Sequence, residues 1–257
     1  MPDFYHRITN ARHRGELVEL CNQLGLTRSA VEVGVFRGGF SRHNLKTWKG
    51  EKYYMVDAWG FRANDTTGEQ LSLDKNGNST EWNERNYQMA LDAVKEFLPP
   101  LGNRAVILRR FAESVVNEFS DGEFDFVYID AGHEYRNVMR DLRMWWPKLR
   151  LGGMLAGDDF ADMTDTFSTN RKEHSGAGWG VKSAVATFAR EVGSPFFLTF
   201  ADHSHVTTEM HPRRSREFGA ENLYLPHYLN NYSLRELPPL EHRVRAQSFY
   251  PAWYMFK

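Results

Sequence analysis

The sequence predicts an α/β fold in which a doubly wound, mostly parallel sheet carries helices on both faces. Six short apolar runs recur along the chain, with turns containing Gly or Asp after them and amphipathic stretches between them. Strands that alternate with helices of about 10–15 residues build βαβ units, so this rhythm favours a parallel sheet. The runs span residues 31–35, 53–56, 105–108, 124–129, 154–156 and 196–200.

Helical periodicity is clearest in residues 134–146, where apolar side chains recur every three or four positions until Pro147 ends the pattern. The same spacing predicts helices over residues 87–98, before Pro99 and Pro100, and over residues 181–188. With the strands, these helices complete the alternation expected of a single α/β domain.

Two long polar stretches interrupt this pattern. Residues 60–83 and 203–248 are rich in turn formers, and a last apolar run follows at 252–256. Loops of this length are often lids or binding segments. We therefore expect one domain spanning residues 1–257 with two insertions. The second insertion and the aromatic residues 249–254 are equally suited to cover a substrate or to form a homodimer.

Composition restricts the function classes. The 257 residues contain 32 Lys and Arg against 33 Asp and Glu, a net charge of −1, which argues against a protein that binds nucleic acid or an anionic membrane surface. No apolar run approaches the roughly 18 residues that span a bilayer. Cys21 is the single cysteine. This excludes an internal disulfide and favours a reducing, cytoplasmic location.

A glycine-rich turn follows the first predicted strand, in the segment from Glu32 to Ser41. Gly34 and Gly38 let the backbone approach a ligand, and the helix that follows offers free N–H groups. The spacing is not the G-x-G-x-x-G of dinucleotide-binding proteins. A tight strand-to-helix turn without a ligand remains an alternative.

Asp57 ends the second predicted strand, 25 residues after Glu32. In nucleotide-binding α/β folds an acid at this place accepts hydrogen bonds from ribose hydroxyls. Alone, it is an ordinary turn residue, but after the glycine-rich turn it favours an adenosine-containing ligand.

Three carboxylates follow two later strands. Asp130 ends the run 124–129, and Asp158 and Asp159 follow residues 151–157. Consecutive parallel strands would bring all three to one sheet edge, where they repel one another unless a cation lies between them. Mg²⁺ with oxygen ligands suits such a set. The alternative is that they cap helices or pair with nearby arginines, namely Arg136, Arg140 or Arg143.

His133 lies three residues after Asp130. Histidine is the side chain best matched to proton abstraction near neutral pH, so His133 is the candidate general base, with Asp130 beside it. The alternative is a residue of the first helical turn that only orders the loop.

With these residues in place, the chain resembles the class I S-adenosylmethionine-dependent methyltransferases. The matching segments are VEVGVFRGGFS, YYMVDAW, ILRRFAESV, FDFVYIDAGHEYRNVMRDLRMWWPKLRLGGMLAGDDF, GVKSAVATFARE and PAWYMFK, in the family's order. The resemblance implies a seven-stranded Rossmann-like sheet whose last strand, here 252–256, is antiparallel. It also implies a cofactor site with Glu32, Gly34, Gly38 and Ser41 around the methionine part, Asp57 at the ribose, and Ala112, Glu113 and Ser114 at the adenine, with Asp130 alongside.

Within the class, the step from Asp130 to the acids at 158 and 159 is similar to magnesium-dependent catechol and macrocin-type O-methyltransferases. This implies S-adenosylmethionine and Mg²⁺ as cofactors and a small-molecule or glycan hydroxyl as acceptor, with His133 taking the proton. Catechol enzymes commonly carry Lys at that position, and metal-independent relatives share a similar IDAGHEY segment. A metal-independent N- or carboxyl-methyltransferase and a catalytically silent binding module therefore stay open.

Overall fold

The computed structural model describes residues 11, 13–60, 80–160, 162, 180–199 and 251–257. They form one sheet flanked by helices, which confirms the predicted fold class. The strands are β1 (Ser29–Val33), β2 (Lys52–Asp57), β3 (Ala105–Arg109), β4 (Phe124–Ile129), β5 (Leu149–Gly157), β6 (Phe196–Leu198) and β7 (Trp253–Phe256). The helices are α1 (Leu17–Gln23), α2 (Gly39–Thr47), α3 (Thr80–Val94), α4 (Ala112–Val115), α5 (Tyr135–Trp145) and α6 (Val181–Val192).

The strand order in the sheet is β3-β2-β1-β4-β5-β7-β6. The pairs among β1 to β5 are parallel, and β7 runs antiparallel to both β5 and β6. The predicted antiparallel last strand is therefore confirmed. The strand order changes direction between β1 and β4, which are neighbours in the centre of the sheet. The crevice at the carboxyl ends of two such strands is where open α/β sheets bind ligands.

Two apolar layers hold the helices against the sheet. Along β4, Phe126 and Tyr128 pack with α1, α2 and α3, whereas Val127 and Ile129 pack with α4, α5 and α6. This alternation follows from the two-residue period of a strand, and burial on both faces explains why every residue of β4 except Asp125 is apolar or aromatic.

The helix α3 differs from the sequence prediction at both ends. It begins at Thr80, inside the predicted insertion 60–83, and ends at Val94, followed by a short 3-10 turn. Its first turns bury Asn83 and Asn86. Because the buried face of α3 starts with polar residues, the apolar periodicity of the sequence does not predict its first turns.

Several expectations lie outside the described residues. These are the whole of the segment 203–248 and most of the segment 60–83, so their roles, including a homodimer contact, stay predictions. Among the described helices, none combines the length and apolar character needed to cross a bilayer.

Candidate active site

The carboxyl ends of the parallel strands form one edge, which carries Gly34 after β1, Asp57 at the end of β2, Asp130 after β4 and Asp158 after β5. Gly34 has φ of +90°, and a Cβ at this position would collide with the main-chain carbonyl of Asp130. Glycine is therefore required where β1 and β4 leave the sheet side by side.

The carboxylate of Asp57 organises the glycine-rich turn. One oxygen accepts hydrogen bonds from the main-chain N–H groups of Val35 and Phe36, both at 2.9 Å, and the other accepts from the N–H of Trp59 at 2.8 Å. Each carboxylate oxygen has two acceptor sites, so Asp57 keeps capacity for a ligand. It therefore shapes the turn and also suits the ribose contact that the sequence predicts.

Glu32 and Ser41 lie beneath the turn rather than on its surface. Glu32 is only 2% exposed, and it accepts hydrogen bonds from the hydroxyls of Ser41 at 2.6 Å and Tyr53 at 2.8 Å. Burial raises the pKa of Glu32 to about 8, although both hydroxyls oppose the rise. These two residues support the turn from inside, and their predicted contact with a cofactor stays a prediction.

The segment Ala112 to Ser114 opens α4 just after β3. Because β3 pairs with β2 through Arg109 and Asp57, this segment leaves the sheet next to Asp57. Glu113 and Ser114 are exposed. The predicted adenine and ribose residues therefore occupy neighbouring strand exits.

A second cluster lies at the exits of β4 and β5. The Nε2 atom of His133 lies 3.0 Å from a carboxylate oxygen of Asp159 and 3.9 Å from one of Asp130. One ligand atom from each of the three residues lies within 4.8 Å of the others. Asp159 adopts a left-handed φ of 56°, which is uncommon outside glycine. This group could hold a divalent metal ion.

The two carboxylates control the charge of His133. Burial disfavours the protonated imidazole, but hydrogen bonds and charge interactions with Asp130 and Asp159 outweigh burial and raise the pKa of His133 to about 10. The main-chain carbonyl of His133 also accepts a hydrogen bond from the N–H of Gly180 at 2.9 Å, so the start of α6 holds this loop in place.

Asp158 has a different partner. Its carboxylate forms an ion pair with the guanidinium of Arg14, which also lies 3.5 Å from Asp130. Arg14 is only 12% exposed and lies over the ring of Phe40, 5.1 Å from its centroid. Burial raises the pKa of Asp158, and Arg14 opposes that rise. Burial disfavours the charged guanidinium, but Asp158, Tyr128 and Asp130 raise the pKa of Arg14 above its ordinary value.

Sequence reasoning missed Arg14. Of the arginines considered as partners of the acids, Arg140 contacts Glu113 and Asp141, and Arg143 pairs with Glu191. Arg14 precedes Asp158 by 144 residues and stands in a three-residue 3-10 turn. No local pattern connects the two positions, and only the folded chain brings them together.

A known protein family matches the sequence. The profile of the family described as "Methyltransferase domain" matches residues 31–160, which is 130 of the 257 residues and contains the whole strand-exit edge from Glu32 to Asp159. The chain belongs to this methyltransferase family. No curated protein sequence matches it at a significant level.

A solved O-methyltransferase structure agrees with the fold. An O-methyltransferase from Bacillus cereus, in complex with SAH, is 13% identical, with a TM-score of 0.51 over 95% of this chain and 80% of that one. The O-methyltransferase TomG from Streptomyces achromogenes, in complex with SAM, is 11% identical, with a TM-score of 0.49 over 95% and 78%. Together, the family match and the strand order identify a class I S-adenosylmethionine-dependent methyltransferase. The structure thus brings the predicted site residues of this methyltransferase to one edge, with Glu32 and Ser41 beneath it.

Proposed function

We propose that this methyltransferase transfers the methyl group of S-adenosylmethionine to a hydroxyl oxygen of a sugar, a glycan or another small polyhydroxy or phenolic acceptor. The observation that carries the proposal is the cluster of Asp130, His133 and Asp159 beside the cofactor edge. A hydroxyl is a poor nucleophile until it loses its proton, and this cluster combines a proton acceptor with two carboxylates.

The proposed cofactor position follows the strand exits. Gly34 and Gly38 would border the methionine part, Asp57 would bind the ribose hydroxyls, and Ala112 to Ser114 would flank the adenine. The remaining acceptor capacity of Asp57 and the adjacency of β1, β2 and β3 support this arrangement. The methionine part would then lie close to Asp130, whose main-chain carbonyl leaves no room for a Cβ at Gly34.

The proton-transfer role falls to His133. In its neutral form Nε2 accepts the hydroxyl proton, and Asp130 and Asp159 stabilise the imidazolium that forms. As the C–S bond to the methyl group breaks, the new C–O bond forms, which leaves S-adenosylhomocysteine and the methyl ether. With a pKa of about 10, little of His133 is neutral at pH 7 while both carboxylates face it. Offsetting their charge would therefore favour the reaction.

A divalent ion such as Mg²⁺ fits this requirement, and Asp130 and Asp159 are the carboxylates that would hold it, beside His133 as the proton acceptor. Carboxylate oxygens are the donors that Mg²⁺ prefers, and ligand atoms of both acids and of His133 lie within 4.8 Å of one another. When bound, the ion would supply positive charge that favours a deprotonated hydroxyl and orients the acceptor. Of the three acids that the sequence predicts as metal ligands, the proposed set thus keeps Asp130 and Asp159 and leaves out Asp158, which pairs with Arg14.

A second candidate is methyl transfer without a metal, to nitrogen or a carboxylate. The charges in the cluster favour it, because Arg14 and protonated His133 already offset two of the three carboxylates. A carboxylate acceptor is ionised at neutral pH and needs no general base. The two candidates differ in their response to metal removal.

The test measures S-adenosylhomocysteine formation with sugar, glycan, catechol and carboxylic acid acceptors, in Mg²⁺ and in EDTA. For the metal-assisted reaction we expect a hydroxylated acceptor to react, and both EDTA and Asp159→Asn to lower kcat at least about 100-fold. Asp92→Asn, at an exposed site on α3, is the matched control and should retain activity. Equal rates in EDTA and Mg²⁺ would contradict metal assistance and support the second candidate.

A further inference from the structure

Among the described residues, Arg14 is the one charged residue from another part of the chain that contacts the acids at the strand exits. Its guanidinium is buried, forms an ion pair with Asp158 and approaches Asp130 to 3.5 Å. An arginine in this place supplies a fixed positive charge, since its pKa is too high for deprotonation.

The geometry separates the two adjacent acids. Asp158 is directed to Arg14, whereas Asp159 is directed to His133 at 3.0 Å. The side chain of Asp158 is 11% exposed and that of Asp159 is 27% exposed. A buried carboxylate that is already paired with a guanidinium must lose that pair before it can bind another cation, and breaking a buried ion pair is costly.

We propose that Arg14 is a built-in cation that removes Asp158 from the metal-ligand set and positions Asp130 for the remaining site. This inference rests on the proposed metal-assisted function. Arg14 is a positioning residue: it acts through Asp158 and Asp130, and its positive charge also limits how strongly Asp130 and Asp159 attract a divalent ion.

The experiment measures Mg²⁺ binding to the EDTA-treated full chain by calorimetry, without cofactor or acceptor. Arg14→Met removes the charge at similar length and leaves Asp158 available as a further oxygen ligand. We expect Mg²⁺ to bind at least about tenfold more tightly to this variant than to the wild type, because a nearby positive charge is lost. Arg14→Lys keeps the charge and should bind Mg²⁺ within about threefold of the wild type.

The double variant Arg14→Met with Asp158→Asn decides whether Asp158 is a ligand. The double variant removes one positive and one negative charge, so the net charge around the site does not change. If Asp158 is not a ligand in the wild type, we expect the double variant to bind Mg²⁺ with an affinity within about threefold of that of the wild type. Asp159→Asn should abolish binding. The matched control is Arg28→Met: Arg28 also pairs with a buried acid, Asp125, but at the opposite edge of the sheet, and Arg150 still pairs with that acid. This control should leave Mg²⁺ affinity unchanged.

Loss of Mg²⁺ binding in the double variant, or no gain in Arg14→Met, would overturn the inference even if the wild type binds Mg²⁺ through Asp159. If the wild type binds no Mg²⁺ but Arg14→Met does, Arg14 keeps Asp158 from binding the ion as inferred, but the metal-assisted function and the positioning of Asp130 for a remaining site both fail. If neither protein binds Mg²⁺, both fail. Thermal unfolding of each variant shows whether it is folded. If Arg14→Met does not fold, the Mg²⁺ affinity of the double variant alone tests the inference.

Discussion

At the residue scale, Glu32 shows how a polar side chain supports the site from within the core. Its carboxyl lies under the glycine-rich turn and accepts hydrogen bonds from Ser41 and Tyr53. Burial raises the pKa of Glu32 to about 8, against an ordinary value of 4.5. At pH values between 4.5 and 8, the carboxyl of Glu32 therefore stays protonated in the folded protein but is ionised in the unfolded chain.

This difference makes Glu32 a source of pH-dependent stability. Its stabilising contribution is complete below pH 4.5 and is lost as pH rises toward 8, by about 1.4 kcal/mol per pH unit. Glu32→Gln mimics the protonated carboxyl and keeps an acceptor for both hydroxyls. We expect the wild type to lose about 2–3 kcal/mol of unfolding free energy relative to this variant between pH 6 and pH 8.

Urea unfolding of both proteins at the two pH values measures this loss. Glu96→Gln, at an exposed position, is the control and should follow the wild type. Parallel pH profiles of the wild type and Glu32→Gln would show that Glu32 is ionised in the folded protein.

Residue-scale predictions from the sequence succeed where a residue's role is local. Gly34 and Asp57 follow directly after strands, so their place at the strand exits could be predicted from the sequence. The burial of Glu32 and the Arg14–Asp158 pair could not be, because they depend on which elements pack together in three dimensions.

At the scale of elements, the start of α6 is linked to the loop that carries His133. Asp162 accepts hydrogen bonds from the main-chain N–H and the hydroxyl of Ser183, at 3.0 and 2.5 Å, in the first turn of α6. Gly180, which precedes the helix, pairs with Asp162 by a β-bridge and donates to the carbonyl of His133. Asp162 therefore caps α6 from outside the helix.

Removing this cap should weaken the helix. We expect Asp162→Ala to lower the free energy of unfolding by about 1 kcal/mol, the usual effect of losing an N-terminal cap, with a smaller loss for Asp162→Asn, which keeps one acceptor oxygen. Urea unfolding measures the change. The exposed Asp92→Ala is the control, and equal stability of Asp162→Ala and the wild type would refute the capping role.

The helices show why the boundaries of some elements could not be predicted from the sequence. The periodicity of α5 and α6 is apolar and was predicted correctly, because their buried faces carry residues such as Val138, Leu142 and Val185. The buried face of α3 begins with Asn83 and Asn86. Polar residues that are satisfied by tertiary contacts carry no apolar signal, and the first turns of α3 were assigned to an insertion.

At the scale of the whole molecule, strand order determines where the chemistry takes place. The alternation of strands and helices predicted the parallel sheet, and the resemblance supplied the antiparallel β7 between β5 and β6. Since β1 and β4 are neighbours, the proposed cofactor residues and the cluster of Asp130, His133 and Asp159 share one edge. In the proposed reaction, this juxtaposition would bring the methyl donor and the proton acceptor into one crevice.

A ligand that binds this edge should stabilise the whole domain, because it binds the folded state only. At a concentration of S-adenosylmethionine 100 times its Kd, the gain is about 2.7 kcal/mol, which raises Tm by roughly 5–10 °C for a domain of this size. Asp57→Asn should abolish this shift, since the amide offers one acceptor oxygen where the carboxylate offers two. Asp92→Asn should keep the full shift. Differential scanning fluorimetry of the three proteins, each with and without ligand, measures these shifts. An unchanged shift in Asp57→Asn would place the ribose elsewhere, whereas no shift in the wild type would contradict cofactor binding at this edge.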